Sequence, residues 1–312
     1  MDVASFGLTS KAYRYQTGDY VIRRLQTMLK PAIQDYSRLR DVMRETGAVI
    51  SGSWCLHFLL GLADPVIWQP KDLDIYVPQD ETCVALIRYL SDQEGYTRVE
   101  RYLTSANGFE EGGGINGRAE ELVQERPEDA EPCDEYPEDA RGIGHVYKLT
   151  KRLGNGGEYT IDVIESIGVH PFRPITHIDY TYLMNWIGAD IIVSLYPTLA
   201  PQKLGIDQSA SYDKSRQRLH RIEKYKARGF EHARQTALLK GRPPCGSACC
   251  FVTRHLRDVG VMEFPLVEEK KASDDLPALS WKTGIYEDCL SPKCPRLQKH
   301  NTSTVMCLNN RY

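Results

Sequence analysis

The run Asp72-Leu73-Asp74-Ile75-Tyr76-Val77-Pro78 constrains the fold of this chain more than any other segment. Its polar and apolar residues alternate with a period of two, the pattern of a strand with one face in the core. On such a strand Leu73, Ile75 and Val77 point one way while Asp72 and Asp74 converge on the other face. Two carboxylates side by side repel each other unless a cation sits between them. Hard divalent cations, Mg²⁺ above all, take carboxylate oxygens together with substrate phosphates.

The residues just upstream supply a complementary feature. Ala48-Val49-Ile50 reads as a short apolar strand, Ser51-Gly52-Ser53 as its exit, and Trp54 to Leu62 as a helix that ends near Gly61. Backbone N–H groups and a serine hydroxyl at a helix start can bind phosphate oxygens. Gly52 would let the backbone approach such a group closely. Taken singly, each feature has a plainer account. Gly52-Ser53 fits an ordinary helix start, and Asp72 and Asp74 fit an exposed edge strand. His57, on the same helix, reads as a packing residue.

In this order, strand, Gly-Ser, helix and Asp-x-Asp resemble the DNA-polymerase-beta-like nucleotidyltransferase superfamily. Gly52-Ser53-Trp54-Cys55 with Leu59-Leu60-Gly61 is most similar to the lincosamide and aminoglycoside nucleotidyltransferases and to the AbiEii-like enzymes. Ser53, Asp72 and the Leu183-Met184-Asn185 stretch near Leu195-Tyr196-Pro197 give a looser likeness to uncharacterised fungal members. The resemblance implies a third carboxylate on a later strand, and Asp162 in Tyr159-Thr160-Ile161-Asp162-Val163-Ile164 is the matching position. It covers about Ala48 to Glu165. The gap from Ser53 to Asp72 is longer than in most members, and an acidic insertion separates Asp162 from the first two aspartates. Surface loops absorb both departures, because loop length costs little entropy. The resemblance implies an α/β (α+β) fold with a small mixed-sheet nucleotidyltransferase core, two Mg²⁺ ions held by Asp72, Asp74 and Asp162, and Gly52 and Ser53 as nucleotide-binding residues. It further implies transfer of a nucleoside monophosphate from a nucleoside triphosphate such as ATP to an acceptor hydroxyl or phosphate. The alternative is a catalytically silent module that keeps the fold and only binds partners.

Charge is distributed unevenly. The chain of 312 residues carries a formal −3, but Asn107 to Gly144 holds twelve acids against three arginines. That segment, with few apolar residues, reads as a disordered acidic insertion. The remainder is therefore net basic. Lys214 to Lys240 concentrates nine cations against Glu223 and Glu231, with Tyr225 and Phe230 interleaved. Such a stretch can track RNA through Lys214, Arg218, Arg221 and Lys224, hold a triphosphate, or be a solvated face.

Hydrophobic residues at 41% and charged residues at 26% fit a globular chain. The stretch from Tyr180 to Pro201 is broken by Asn185, Asp190 and Ser194, which predicts a buried helix or strand pair and no membrane span. Nine cysteines, an odd number, and no apolar leader predict free thiols in the cytoplasm, with the nucleus as the alternative. Cys245, Cys249, Cys250, Cys289, Cys294, His300 and Cys307 cluster late in the chain. A structural Zn²⁺ on Cys245, Cys249, Cys289 and Cys294 is the metal alternative to buried free thiols. The predicted organisation is 1–47 as N-terminal helices packed on the core, 48–200 as the nucleotidyltransferase core with the insertion at 107–144, and 201–312 as a mostly helical, basic and Cys-rich region.

Overall fold

The computed structural model describes residues 11–62, 66–79, 81–103, 142–154, 156–208, 216–239, 249, 252–258, 260–267, 277 and 279–282. The first two described elements are helices, α1 (Lys11–Leu29) and α2 (Tyr36–Thr46). They are separated around Pro31, whose missing N–H cannot continue a helical ladder. Asp35 starts α2 by accepting the Arg38 N–H, and Gly47 ends it in the left-handed conformation at φ +70°. The buried carboxylate of Glu94 accepts N–H groups from Gln34 at 2.6 Å and Asp35 at 3.2 Å, and the Tyr89 hydroxyl at 2.6 Å. It thereby satisfies backbone donors that the helix break leaves open.

The body of the fold is an eight-stranded mixed sheet in the order β11-β7-β6-β1-β2-β5-β4-β3. Its strands are β1 (Val49–Ser51), β2 (Asp72–Pro78), β3 (Arg98–Leu103), β4 (Ile143–Arg152), β5 (Glu158–Ser166), β6 (Asn185–Ile187), β7 (Ile191–Ser194) and β11 (Met262–Pro265). Helix α3 (Gly52–Leu60) leaves β1 directly, and α4 (Glu81–Asp92) follows β2. The remaining elements are α5 (Phe172–Thr176), β8 (Leu204–Ile206) paired with β9 (Glu231–Ala233), α6 (Arg216–Ala227), and β10 (Thr253–His255) paired with β12 (Ser280–Lys282).

Both faces of the sheet are buried. Leu73, Ile75, Val77, Ile161 and Val163 pack with α1, α2, α4 and the Trp54–Phe58 side of α3. Val49, Tyr76, Ile164, Trp186 and Val193 pack with Phe172, Tyr196 and Trp281. The period-two alternation thus sorts consecutive residues of β2 into different cores. Arg40 and Arg44 of α2 both reach Asp190 in the β6–β7 turn, at 3.0 and 2.7 Å, and fasten the N-terminal helices to the core.

Strand β2 matches the sequence expectation residue for residue, and β1 and α3 each lie within one or two residues of theirs. The stretch from Tyr180 to Pro201 holds the short strand pair β6–β7, and no described helix is long and apolar enough to cross a membrane. Two expectations need correction. Ile143 and Gly144, assigned to the acidic insertion, belong to β4, because their backbone pairs with β5 near Ser166. Residues 107–141 of that insertion lie outside the described residues. The described part of 201–312 is also not mostly helical. It carries one α-helix, α6, against five strands of three or four residues, and β11 joins the main sheet. Strands that short show too few alternations to reveal a period in sequence.

Candidate active site

Three carboxylates converge where β1, β2 and β5 lie side by side. Asp72 and Asp74 sit two apart on β2 and share one face. Strand β5 runs parallel to β2 in a register that sets Asp162 opposite Asp74 and Thr160 opposite Asp72. On the other side, antiparallel β1 sets Ser51 opposite Asp74. The chain turns from Ser51 straight into α3, so Gly52 and Ser53 begin that helix beside Asp74.

The contact at the turn is close. Gly52 has φ +65°, a conformation that costs glycine nothing and strains other residues. A Cβ built there would overlap the Asp74 carboxylate oxygen. That carboxylate accepts the backbone N–H of Ser53. Ser51 leaves the helix start uncapped, since its hydroxyl instead donates to the Asn185 carbonyl at 2.6 Å across to β6. The Ser53 hydroxyl is buried and has no hydrogen-bond partner among the described residues.

The electrostatics follow from this crowding. Burial, then the charges of Asp72 and Asp162, push the Asp74 carboxyl well above the usual carboxylate range. Lys224 and the Ser53 N–H pull it the other way. Tyr76, two residues beyond Asp74 on the same face, is held protonated by burial and then by Asp74, Tyr225, Asp162 and Asp72. The Tyr159 hydroxyl is pushed up to about 12, chiefly by burial. Sequence reasoning passed over Tyr76, although the period that paired Asp72 with Asp74 extends to it.

Helix α6 supplies the cationic side, and not as a solvent-facing stripe. Arg218 pairs with Asp207 at 3.1 Å and Arg221 with Asp179 at 2.7 Å, with all four side chains mostly covered. Lys224, one turn further along, acts on Asp74. Arg228 lies with its guanidinium 4.0 Å from the Trp68 ring centre and 5.1 Å from that of Tyr225. Of the RNA-contact candidates, Arg218 is therefore engaged by the buried Asp207 and Arg221 by the half-buried Asp179, and Lys214 lies outside the described residues. His57 is buried edge-on against Trp68 at 5.0 Å. Burial, with Arg24 and Arg228 nearby, lowers its pKa and keeps it neutral, consistent with packing.

No protein-family model matches the chain, and no curated protein matches it.

Among the described residues, no group of three or more His, Cys, Asp or Glu side chains is arranged so that it could hold a metal ion. The donor set at β2 and β5 nevertheless suits a hard divalent cation. It is made of carboxylate oxygens, and their mutual repulsion is what a cation would relieve. Of the proposed zinc cysteines, Cys249 alone is described, with its side chain buried, and Cys245, Cys289 and Cys294 lie outside the described residues.

Proposed function

We propose that this protein is a metal-dependent nucleotidyltransferase that moves a nucleoside monophosphate from a nucleoside triphosphate to an acceptor hydroxyl or phosphate. The observation that carries this reading is the register of β2 and β5. It brings Asp162 level with Asp74, on the face shared with Asp72, next to the helix start at Gly52-Ser53. Magnesium ions held by Asp72, Asp74 and Asp162 would supply charge stabilisation for the entering and leaving oxygens. The chain's own groups do the rest. The N–H of Ser53 and its buried hydroxyl donate to phosphate oxygens, and Gly52 leaves room for them. Lys224 offsets the charge of the triphosphate from the α6 side. Asp162, the most deeply buried of the three carboxylates, takes the proton of the acceptor and orients its oxygen. The apolar surroundings of Tyr76 and Tyr225 limit water at the reacting phosphorus, which favours transfer over hydrolysis.

The test is incubation of the purified chain with Mg²⁺, each of four labelled nucleoside triphosphates in turn, and a cellular extract fractionated afterwards into small molecules, RNA and protein. Label should enter one fraction with release of pyrophosphate, and Asp162→Asn should abolish it. Nucleotide binding without transfer to any fraction would leave only the silent module.

A further inference from the structure

The space and the backbone donor at the start of α3 are already taken, by a carboxyl group of the protein itself. The Asp74 carboxylate sits over Gly52, in the space a Cβ would fill, and accepts the Ser53 N–H. A phosphate approaching this helix of nine residues would need the same space and the same donor. The buried Ser53 hydroxyl beside it has no hydrogen-bond partner among the described residues, so the seat contains a second donor that Asp74 leaves unused. A buried hydroxyl without a partner is costly to the fold, and a ligand oxygen would recover that cost.

We propose that Asp74 plugs its own phosphate seat, so that the cation-free protein excludes nucleotide and a phosphate group enters only after Asp74 has left the seat for a divalent cation. The proposal rests on the reading that Gly52 and Ser53 take the phosphates of a nucleotide, and it adds an order of binding: cation first, nucleotide second. Two features make the plug releasable. Asp74 faces like charges on Asp72 and Asp162, so its place over Gly52 is held against repulsion. A single backbone donor holds it there, with the charge of Lys224 acting in its favour, and a cation bound by several carboxylates can outcompete both.

The experiment measures binding of inorganic pyrophosphate to the full chain by calorimetry in the presence of a chelator. Wild type is compared with Asp74→Ala, Asp74→Asn and Asp72→Ala. The asparagine variant loses the charge but keeps an oxygen for the Ser53 N–H, so the seat stays filled. Asp72→Ala loses a carboxylate without opening the seat. Asp74→Ala alone empties it, and should bind pyrophosphate at least ten times more tightly than the other two variants and wild type. Asp74→Ser, too short to reach the same donor, should share the gain and serves if the alanine variant does not fold. Equal affinity of Asp74→Ala (or Ser) and Asp74→Asn, with magnesium nucleotide still bound by wild type, overturns the plug and leaves the functional reading standing. Failure of every variant to bind pyrophosphate, and of wild type to bind magnesium nucleotide, overturns both.

Discussion

Asp74 and Asp162 stand opposite each other on adjacent strands, in the one parallel pairing within the eight-stranded sheet as described. Parallel register puts partners at one level with their side chains on one side, which makes a carboxylate pair from residues far apart in the chain. Strand β1 adds the helix start from the opposite flank, through the pairing of Ser51 with Asp74. Asp74 is therefore the residue on which the site's geometry and its electrostatics both converge.

Replacing Asp74 should separate activity from stability. Asp74→Asn is expected to reduce nucleotidyl transfer by about a hundredfold or more, since one of the converging charges is lost. Its folding should be retained. The pKa of Asp74 in the folded state is raised by burial, Asp72 and Asp162. Its contribution to stability is therefore fully present below the unfolded pKa and is lost as pH rises through the folded value. In thermal unfolding without metal, wild type should lose stability relative to Asp74→Asn as pH rises from about 4, the unfolded carboxyl value, into the neutral range. A constant difference between the two across that range would remove the charge cluster as its cause.

The basic residues of α6 should divide into two classes. Arg221→Gln leaves the half-buried Asp179 without its partner at 2.7 Å and is expected to cost about 2 kcal/mol of stability. Lys224→Gln should leave the unfolding midpoint within a degree or two and raise the KM for nucleoside triphosphate about tenfold, the equivalent of one charged contact. Denaturant unfolding and initial-rate kinetics on both variants check this division. Matching effects of the two substitutions on both quantities would contradict it.

Residues 107–141 should be dispensable for folding. Strand β3 ends and β4 begins as antiparallel partners, with Leu103 opposite His145, so a short Gly-rich turn can join them. Deletion with such a turn should keep a cooperative unfolding transition. Loss of cooperativity, or a melting point lowered by several degrees, would show that the removed residues pack on the core.

The sequence by itself determined the local units. The alternation in β2, the short apolar strand before it and the Gly-Ser step into α3 were all legible, because each depends on residues within a few positions of one another. It also marked Asp72 and Asp74 as sharing a face. Tertiary structure alone decided the rest. That Asp162 lies level with Asp74 depends on the register of strands brought together across α4, β3 and β4, which no local period encodes. That Arg218 and Arg221 are bound by Asp207 and Asp179, while the charge of Lys224 is felt at Asp74, depends on where α6 docks. Like charges along a helix look alike in sequence. Partners from distant segments determine which are neutralised and which remain to meet a ligand.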